Sequence, residues 1–371
     1  MTFDVRATRH DLPSAETSAY LNAGTFGPLP RRAAEAMRTH LEASFEQGRL
    51  GHAGLDRWMR LMEEARAGFA RALLSQEDEI ALMHCTSDGC NAVVWGLPLG
   101  PGDEVVTTTH EHPGLTAPLE ELARTRHVKV TAVSPRAADI LSAIGPKTKL
   151  VAVSHVLWTQ GDVLPIAEIA RAAHERGALL LVDGAQSAGA ISVDPAATGA
   201  DYYTVSGQKW LCGPSGTGAL WIRPSALSQL ATPWPWYLSK ARGPSGVKDW
   251  TGARRLDATT ISMTSLAGVV GALSWQRERV EEGALTWAAS LARNLRARLG
   301  RLSNVRLAEA IHPSQLVSFS VDGQVASDVA RRLEQQGVLV RSIPGFEWVR
   351  ASVGFWNDER DLERLTSAIQ G

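Results

Sequence analysis

The chain has little cysteine, little lysine and almost no net charge. Three cysteines, Cys85, Cys90 and Cys212, stand among 371 residues with no CxxC pair and no zinc-ligand spacing. That excludes a disulfide scaffold and a structural zinc module, and suits a reducing interior. The 38 Lys and Arg side chains are offset by 39 Asp and Glu, without a basic block or an acidic tail. The electrostatic footprint of a nucleic-acid binder is therefore missing. No apolar run approaches the length of a membrane span, and the first residues, MTFDVRATRHDLP, hold no apolar leader core. These absences predict a soluble, cytoplasmic protein that contacts neither membrane nor nucleic acid. At 44% hydrophobic residues the chain is too apolar for disorder, and its length suits one large and one small domain. Tryptophan is plentiful, 12 against 4 tyrosines, and only six basic residues are lysines, at 129, 147, 149, 209, 240 and 248. An arginine-rich composition and generous core packing account for both, but a rare lysine in an unusual setting is informative.

From about residue 32 to 225 helical and strand patterns alternate, the signature of a mostly parallel α/β sheet with crossover helices. Helices are expected at 32–47 and 55–74. Strands are expected at 80–84, EVVTT (104–108), VKVTAV (128–133), KLVAVS (149–154), ALLLV (178–182) and DYYTV (201–205). PIAEIARAAHERG (165–177) has Pro at its start and Gly at its end, as a helix should. ALLLV, apolar on both faces, reads as a central strand. Residues 226–256 are rich in Pro, Gly and Trp and read as an excursion over the surface or across a subunit boundary. A long helix is expected at 264–300. It precedes a strand (QLVSFSVDG), a helix, two strands around VLVRS and WVRASVGF, and a terminal helix at 358–369. The division expected is a large α/β domain over 15–260 and a smaller α+β domain over 261–371, with 1–14 packed nearby.

In such sheets ligands sit beyond the carboxyl ends of the strands, and five strand ends carry polar residues. Thr86-Ser87-Asp88 follow the first. His110, Glu111 and His112 follow EVVTT, and His155, Trp158 and Thr159 follow KLVAVS. Asp183 and Gln186 follow ALLLV; Ser206, Gln208 and Lys209 follow DYYTV. Singly each has an ordinary explanation: a turn at Asp183-Gly184, a surface lysine, a helix cap at Thr86-Ser87. Lys209, however, lies between an aromatic strand and WLCG, where a solvated lysine has little reason to be. A lysine amine in an apolar pocket has a lowered pKa and is a good Schiff-base nucleophile. Pyridoxal phosphate needs such a lysine, a carboxylate beside its pyridine nitrogen, a phosphate cup at a helix N-terminus and a flat group on its ring. GPSGTG (213–218) lacks both the dinucleotide fingerprint and the Walker Lys-Ser/Thr, and reads as a turn behind the lysine.

The segments LLVDGAQSAG, SGQKW and EHPG resemble the class V aminotransferase-like family of fold-type-I pyridoxal phosphate enzymes. The likeness runs from YLNAGTFGPLP to VRASVGFWNDERDLERL. It is strongest toward the cysteine/cystine C–S lyases, through GCNAVVWGL, HEHPGL, VLWTQGDVLP, ADYYTVSGQKWLCGPSGTGALWI and two arginines nine residues apart, Arg341 and Arg350. The resemblance implies a Schiff base at Lys209, Asp183 at the pyridine nitrogen, Gln186 at the ring hydroxyl and His112 stacked on the ring. Thr86, Ser87, the Asp88 amide, Ser206 and Gln208 would hold the phosphate. Thr260 would reach the phosphate of a neighbouring subunit, implying a homodimer with shared sites. Arg350 would clasp the α-carboxylate of an amino-acid substrate, with Arg341, Thr159 and Trp250 nearby. No metal is implied. Trp234 and Trp236 either line a pocket or pack a dimer interface.

Three departures from the family pattern matter. Gln208 stands where most relatives have His. Leu157 lies where desulfurases present an Asn, leaving Thr159 or Trp158 to line the pocket. The loop VLVRSIPGFEWVR, where a desulfurase carries its sulfur-accepting cysteine, contains none, and all three cysteines read as small buried apolar residues in large-domain motifs. A C–S lyase acting by β-elimination needs no such cysteine and is the expected activity. A desulfurase, selenocysteine lyase or isopenicillin-N-epimerase-like enzyme is the alternative, and a catalytically silent scaffold the non-enzyme alternative.

Overall fold

Short apolar runs with no polar face become the interior of a seven-stranded sheet. The computed structural model describes residues 3–49, 51–243 and 246–370. Its main sheet comprises β1 (Ile80–Met83), β2 (Glu104–Thr108), β3 (Lys129–Val133), β4 (Thr148–Ser154), β5 (Leu179–Asp183), β6 (Tyr202–Ser206) and β7 (Gly218–Ile222). The order is β1-β7-β6-β5-β4-β2-β3. Strands β6, β5, β4, β2 and β3 pair in parallel, and β7 runs antiparallel between β6 and β1. Leu180, Leu181 and Val182 of β5 are fully buried, as a central strand covered on both faces requires. The strand missing from the expected set is β7. It follows the GPSGTG turn without a crossover helix, so no change of periodicity marks it off.

The second sheet, β8 (Val305–Leu307), β9 (Leu316–Val321), β10 (Arg341–Ser342) and β11 (Val349–Ser352), is antiparallel in the order β8-β9-β11-β10. The expected helix over 264–300 is two helices, Met263–Glu281 and Ala284–Leu299. They part at Gly283, whose φ of +100° is available to glycine at little cost. The break divides two cores. Leu266, Val269 and Leu273 pack with the main sheet, and Leu291, Leu295 and Leu299 with the second. The large core therefore continues past residue 260. From the other end of the chain, Ala19 and Leu21 enter the second core, and Ala19–Tyr20 pairs in parallel with Val338–Leu339. No helix among the described residues is long and apolar enough to cross a membrane.

One buried ion pair fastens the edge of the main sheet. Arg66, on the helix His52–Ala72, meets Asp257 through two parallel hydrogen bonds of 3.0 and 2.8 Å, and also donates to the Ile80 carbonyl. Asp257 accepts from Leu82 N–H of β1 at 2.8 Å. Helix, edge strand and the return from the 226–256 excursion are thus joined at one carboxylate. Burial pushes that carboxyl up, and the guanidinium pulls it back. Removing one partner of such a pair leaves an uncompensated buried charge. Asp257→Ala is expected to lower the unfolding free energy by about 3–5 kcal/mol, read as a fall in urea midpoint. Replacing Arg66 and Asp257 together by Met and Leu should cost much less.

Candidate active site

Five strands deliver side chains to one rim, and a cavity of about 220 Å³ opens there. Lys209 lines it, three residues beyond the end of β6. Its neighbours along the wall include Gln186 after β5, His112 after β2, Trp158 after β4, and Thr86 and Ser87 after β1. The second sheet supplies Arg341 and Arg350 from above, and the N-terminal segment supplies Gly24, Thr25 and Phe26. The nine-residue spacing of the two arginines has a direct cause: Arg341 of β10 and Arg350 of β11 are paired across the ladder.

Burial sets the chemistry of the lysine. Removal from water lowers the Lys209 pKa from 10.5 to about 8, with Arg350 and Arg341 pushing the same way and Asp183 opposing them. Asp183 is itself buried. Desolvation raises its carboxyl, while the Lys209 charge and a 2.8 Å hydrogen bond from Ala185 N–H draw it down. Gly184 beside it serves close packing rather than a simple turn, because a Cβ there would lie 2.2 Å from the Tyr203 ring. His112 accepts from Gly114 N–H at Nδ1, 3.0 Å away, so its proton sits on Nε2. Desolvation first, then Lys209 and the two arginines, lower its pKa to about 4, leaving a neutral flat ring at neutral pH.

One end of the cavity fits an anion. The helix Thr86–Gly96 begins there with no side-chain cap on Cys85, and its positive end faces the opening. Thr86 N–H donates to Ser206 Oγ at 3.0 Å. Gln208 also lines the cavity; its Oε1, buried without a partner among the described residues, can only accept, so an anion would be met by the N–H of its Nε2. At the other end, Arg341 Nη1 and Arg350 Nη2 converge on the Thr25 hydroxyl, at 3.2 and 3.5 Å. Arg350 is almost wholly buried, and desolvation followed by the Arg341 charge lowers its pKa to about 9. Its Nη1 donates to the Trp158 carbonyl at 2.9 Å. A Cβ on Gly24 would come within 2.7 Å of Arg350 Nη2, so glycine is what lets the N-terminal segment approach. Neither guanidinium has a carboxylate partner among the described residues, and the pair suits a second anion.

Not every expected residue reaches the cavity. Thr159 is fully buried, with its hydroxyl on Gln160 and its carbonyl accepting from Ser318. The neighbouring Trp158 lines the cavity instead, and Leu157 is in the core. The Asp88 carboxylate turns away to His84. Trp250 packs under the Arg254 guanidinium, 4.9 Å from the ring centre, and Thr260 is exposed with φ of +41°; neither lines this cavity. Gln186 donates through Nε2 to the Gly24 carbonyl and accepts from Trp210 Nε1, leaving one amide hydrogen free. The cysteines divide: Cys90 and Cys212 are buried with thiols pushed up by desolvation, whereas Cys85 is half-buried and lines the cavity. The expectation of three packed cysteines fails at Cys85, because the strand-to-helix turn opens its side chain toward the rim. Thr25 and Phe26 also escaped the sequence reading. Their one signal was the glycine spacing of NAGTFG.

Because the cavity holds Lys209 near pH 8, its amine should be trapped by a small aldehyde and borohydride at a rate that climbs through that pH. An ordinary lysine would climb near 10.5. Peptide mapping across a pH series reads this directly, and a midpoint above 10 would contradict the buried setting.

The chain is similar to several known proteins. A probable cysteine desulfurase of Pseudomonas aeruginosa is 31% identical over 97% of this chain and 96% of its own. The cystine C–S lyase C-DES, solved in complex with its reaction product cysteine persulfide, superposes with a TM-score of 0.90 at 28% identity, covering 96% of this chain and 98% of that one. A variant of C-DES with glycine covalently linked to its PLP cofactor gives a TM-score of 0.92 at 29% identity, over 97% and 98% of the two chains. Residues 19–365 match the class-V aminotransferase family, and the chain belongs to that family.

Proposed function

We propose that this protein is a pyridoxal 5'-phosphate-dependent carbon–sulfur lyase that acts by β-elimination on cystine or an S-substituted cysteine, releasing pyruvate, ammonia and a persulfide or thiol. The observation that carries this reading is the buried Lys209 amine, which lines a cavity together with Arg341 and Arg350 and feels the charge of the buried Asp183 carboxylate. The residues present suit the cofactor. Lys209 is the Schiff-base lysine, Asp183 the partner of the pyridine nitrogen, Gln186 the donor to the ring hydroxyl through its free amide hydrogen, and neutral His112 the flat cover. Thr86, Ser87, the Asp88 amide, Ser206 and the Nε2 N–H of Gln208 hold the phosphate. When bound, the cofactor supplies an electrophilic aldehyde and a ring able to take up the electron pair left at the substrate Cα.

The protein's own groups do the rest. Arg350 fixes the α-carboxylate and Arg341 a further anionic group, orienting the Cα–H bond. Lys209 Nζ, neutral for part of its time at neutral pH, removes the proton from Cα. Burial raises the Asp183 carboxyl, and a neighbouring cation opposes that shift. Thr260 and Trp250, outside their own cavity, are read as serving the second site of a homodimer.

Purified holoenzyme should release pyruvate from cystine or another S-substituted cysteine. Lys209→Ala should lose both this activity and the visible band of the Schiff base. Arg350→Ala should lower kcat/KM by about 10–100-fold, the worth of a charged hydrogen bond. Cys85 in the cavity favours one second reading, a desulfurase that passes sulfur to that thiol. Pyruvate release that persists in Cys85→Ser supports the lyase. Alanine formation that depends on Cys85 would replace it. Sedimentation should give two chains per particle, and Thr260→Val should weaken cofactor retention in that dimer.

A further inference from the structure

The segment 19–27 supplies Gly24, Thr25 and Phe26 to the cavity wall, and the reading above gives it no task. It is fastened to both halves of the site. On one side it meets β11, the strand of Arg350. Ser352 N–H donates to the Leu21 carbonyl at 2.7 Å, and Asn22 pairs with Ser352 in a single parallel bridge. On the other side, Gln186 Nε2 donates to the Gly24 carbonyl at 2.9 Å, and Gly27 N–H to the Gln208 carbonyl at 2.8 Å. A Cβ on Gly27 would collide with the Lys209 carbonyl oxygen, so this strap lies against the backbone of the lysine itself. A few residues thus join the sheet that carries the arginines to the loop that carries Lys209.

Thr25 lies between these two attachments. Arg341 and Arg350 stand opposite each other on neighbouring strands, and like charges in that relation repel. Arg350 has an anchor of its own, the Trp158 carbonyl at 2.9 Å. Arg341 makes one side-chain hydrogen bond among the described residues, from Nη1 to Thr25 Oγ1 at 3.2 Å. Arg350 Nη2 stands 3.5 Å from the same oxygen, at the outer limit of such a bond. The Thr25 hydroxyl donates to Asn22 Oδ1 at 2.7 Å, which commits its hydrogen and leaves lone pairs for the guanidiniums. The Asn22 carbonyl in turn accepts from the amides of Thr25 and Phe26 at 3.0 and 3.1 Å, so a local turn sets the position of the oxygen.

We infer that Thr25 is a positioning residue whose hydroxyl oxygen holds the Arg341 guanidinium beside Arg350, so that an anionic substrate meets both cations already in place. The hold on Arg341 stands on the geometry alone; its consequence for substrate rests on the lyase reading. Thr25 acts through Arg341 and takes no part in bond making. Its effect is preorganisation: the repulsion between the two cations is overcome before the substrate arrives, and less ordering is left to binding.

Two measurements test this. Thr25→Val keeps the branched shape and removes the oxygen, whereas Thr25→Ser keeps the oxygen. For the holoenzyme on its best cysteine-derived substrate, followed by pyruvate release, Thr25→Val is expected to raise KM about tenfold. The value of kcat should change little, since the interaction serves bound substrate and transition state alike. Thr25→Ser should restore KM, the visible Schiff-base band should persist in both variants, and Thr25→Val should add nothing in an Arg341→Ala background. The second measurement needs no substrate. Phenylglyoxal should modify Arg341 several-fold faster in Thr25→Val holoenzyme than in the wild type, read by peptide mapping. An unchanged KM, a loss that serine does not restore, a further loss in the Arg341→Ala background, or an equal rate of modification each overturns the inference. A wild-type protein that releases pyruvate from no cysteine derivative removes the lyase reading instead, and the rate at Arg341 then decides the positioning role by itself.

Discussion

Three cations, Lys209, Arg341 and Arg350, line one cavity, and the buried carboxylate of Asp183, which is not among the lining residues, is the anionic side chain that opposes them in setting the lysine's charge. Such an excess of buried positive charge is unfavourable unless anions enter. Desolvation first, and then the mutual repulsion of these cations, lowers the pKa of Lys209 and Arg350 and keeps His112 neutral. The same imbalance suits the cavity to a ligand that carries anionic groups. Reactivity of the lysine and recognition of the substrate come from one electrostatic arrangement.

The scaffold must hold that arrangement against repulsion, and it does so with buried polar ties behind the rim. Glu111, pushed up to about 7 by burial, accepts from the Thr108 hydroxyl and from both the amide and the hydroxyl of Ser154. It thereby locks the end of β2 to the end of β4, next to His112. Behind Asp183, the His155 ring, the Tyr203 hydroxyl and Ser187 form a row at 2.7 and 2.5 Å, with the Ser187 hydroxyl also within reach of the Gly184 carbonyl. None of these groups lines the cavity. Their effect is to fix the strand ends that carry the reacting side chains.

Legibility followed the range of the interactions. The strands ALLLV and DYYTV and the helix after Pro165 were readable because apolar runs and caps are local signals. The strand at 218–222 and the break at Gly283 were not, since one is defined by an antiparallel partner and the other by which of two cores each half of a helix joins. Within the site, Lys209, Asp183, Gln186, His112 and Ser206 stood out as polar residues just past apolar strands. Trp158 was left as one of two alternatives, Thr159 was favoured over it, and Cys85 was taken for packing. Which side of a turn faces a cavity depends on what packs behind it, as Ser318 does behind Thr159.

By itself, then, the sequence determined the parallel α/β framework, the rim of strand ends and the unusual lysine, because hydrophobic period and residue type suffice for these. The excess of arginine and scarcity of lysine were composition there; only the tertiary structure turned them into two guanidiniums facing each other across a ladder above one buried amine. The short count of cysteine likewise changed its meaning once Cys85 emerged at the cavity and the other two stayed inside. Both outcomes rest on contacts between segments hundreds of residues apart, from Thr25 to Arg350, whose energies no local pattern encodes.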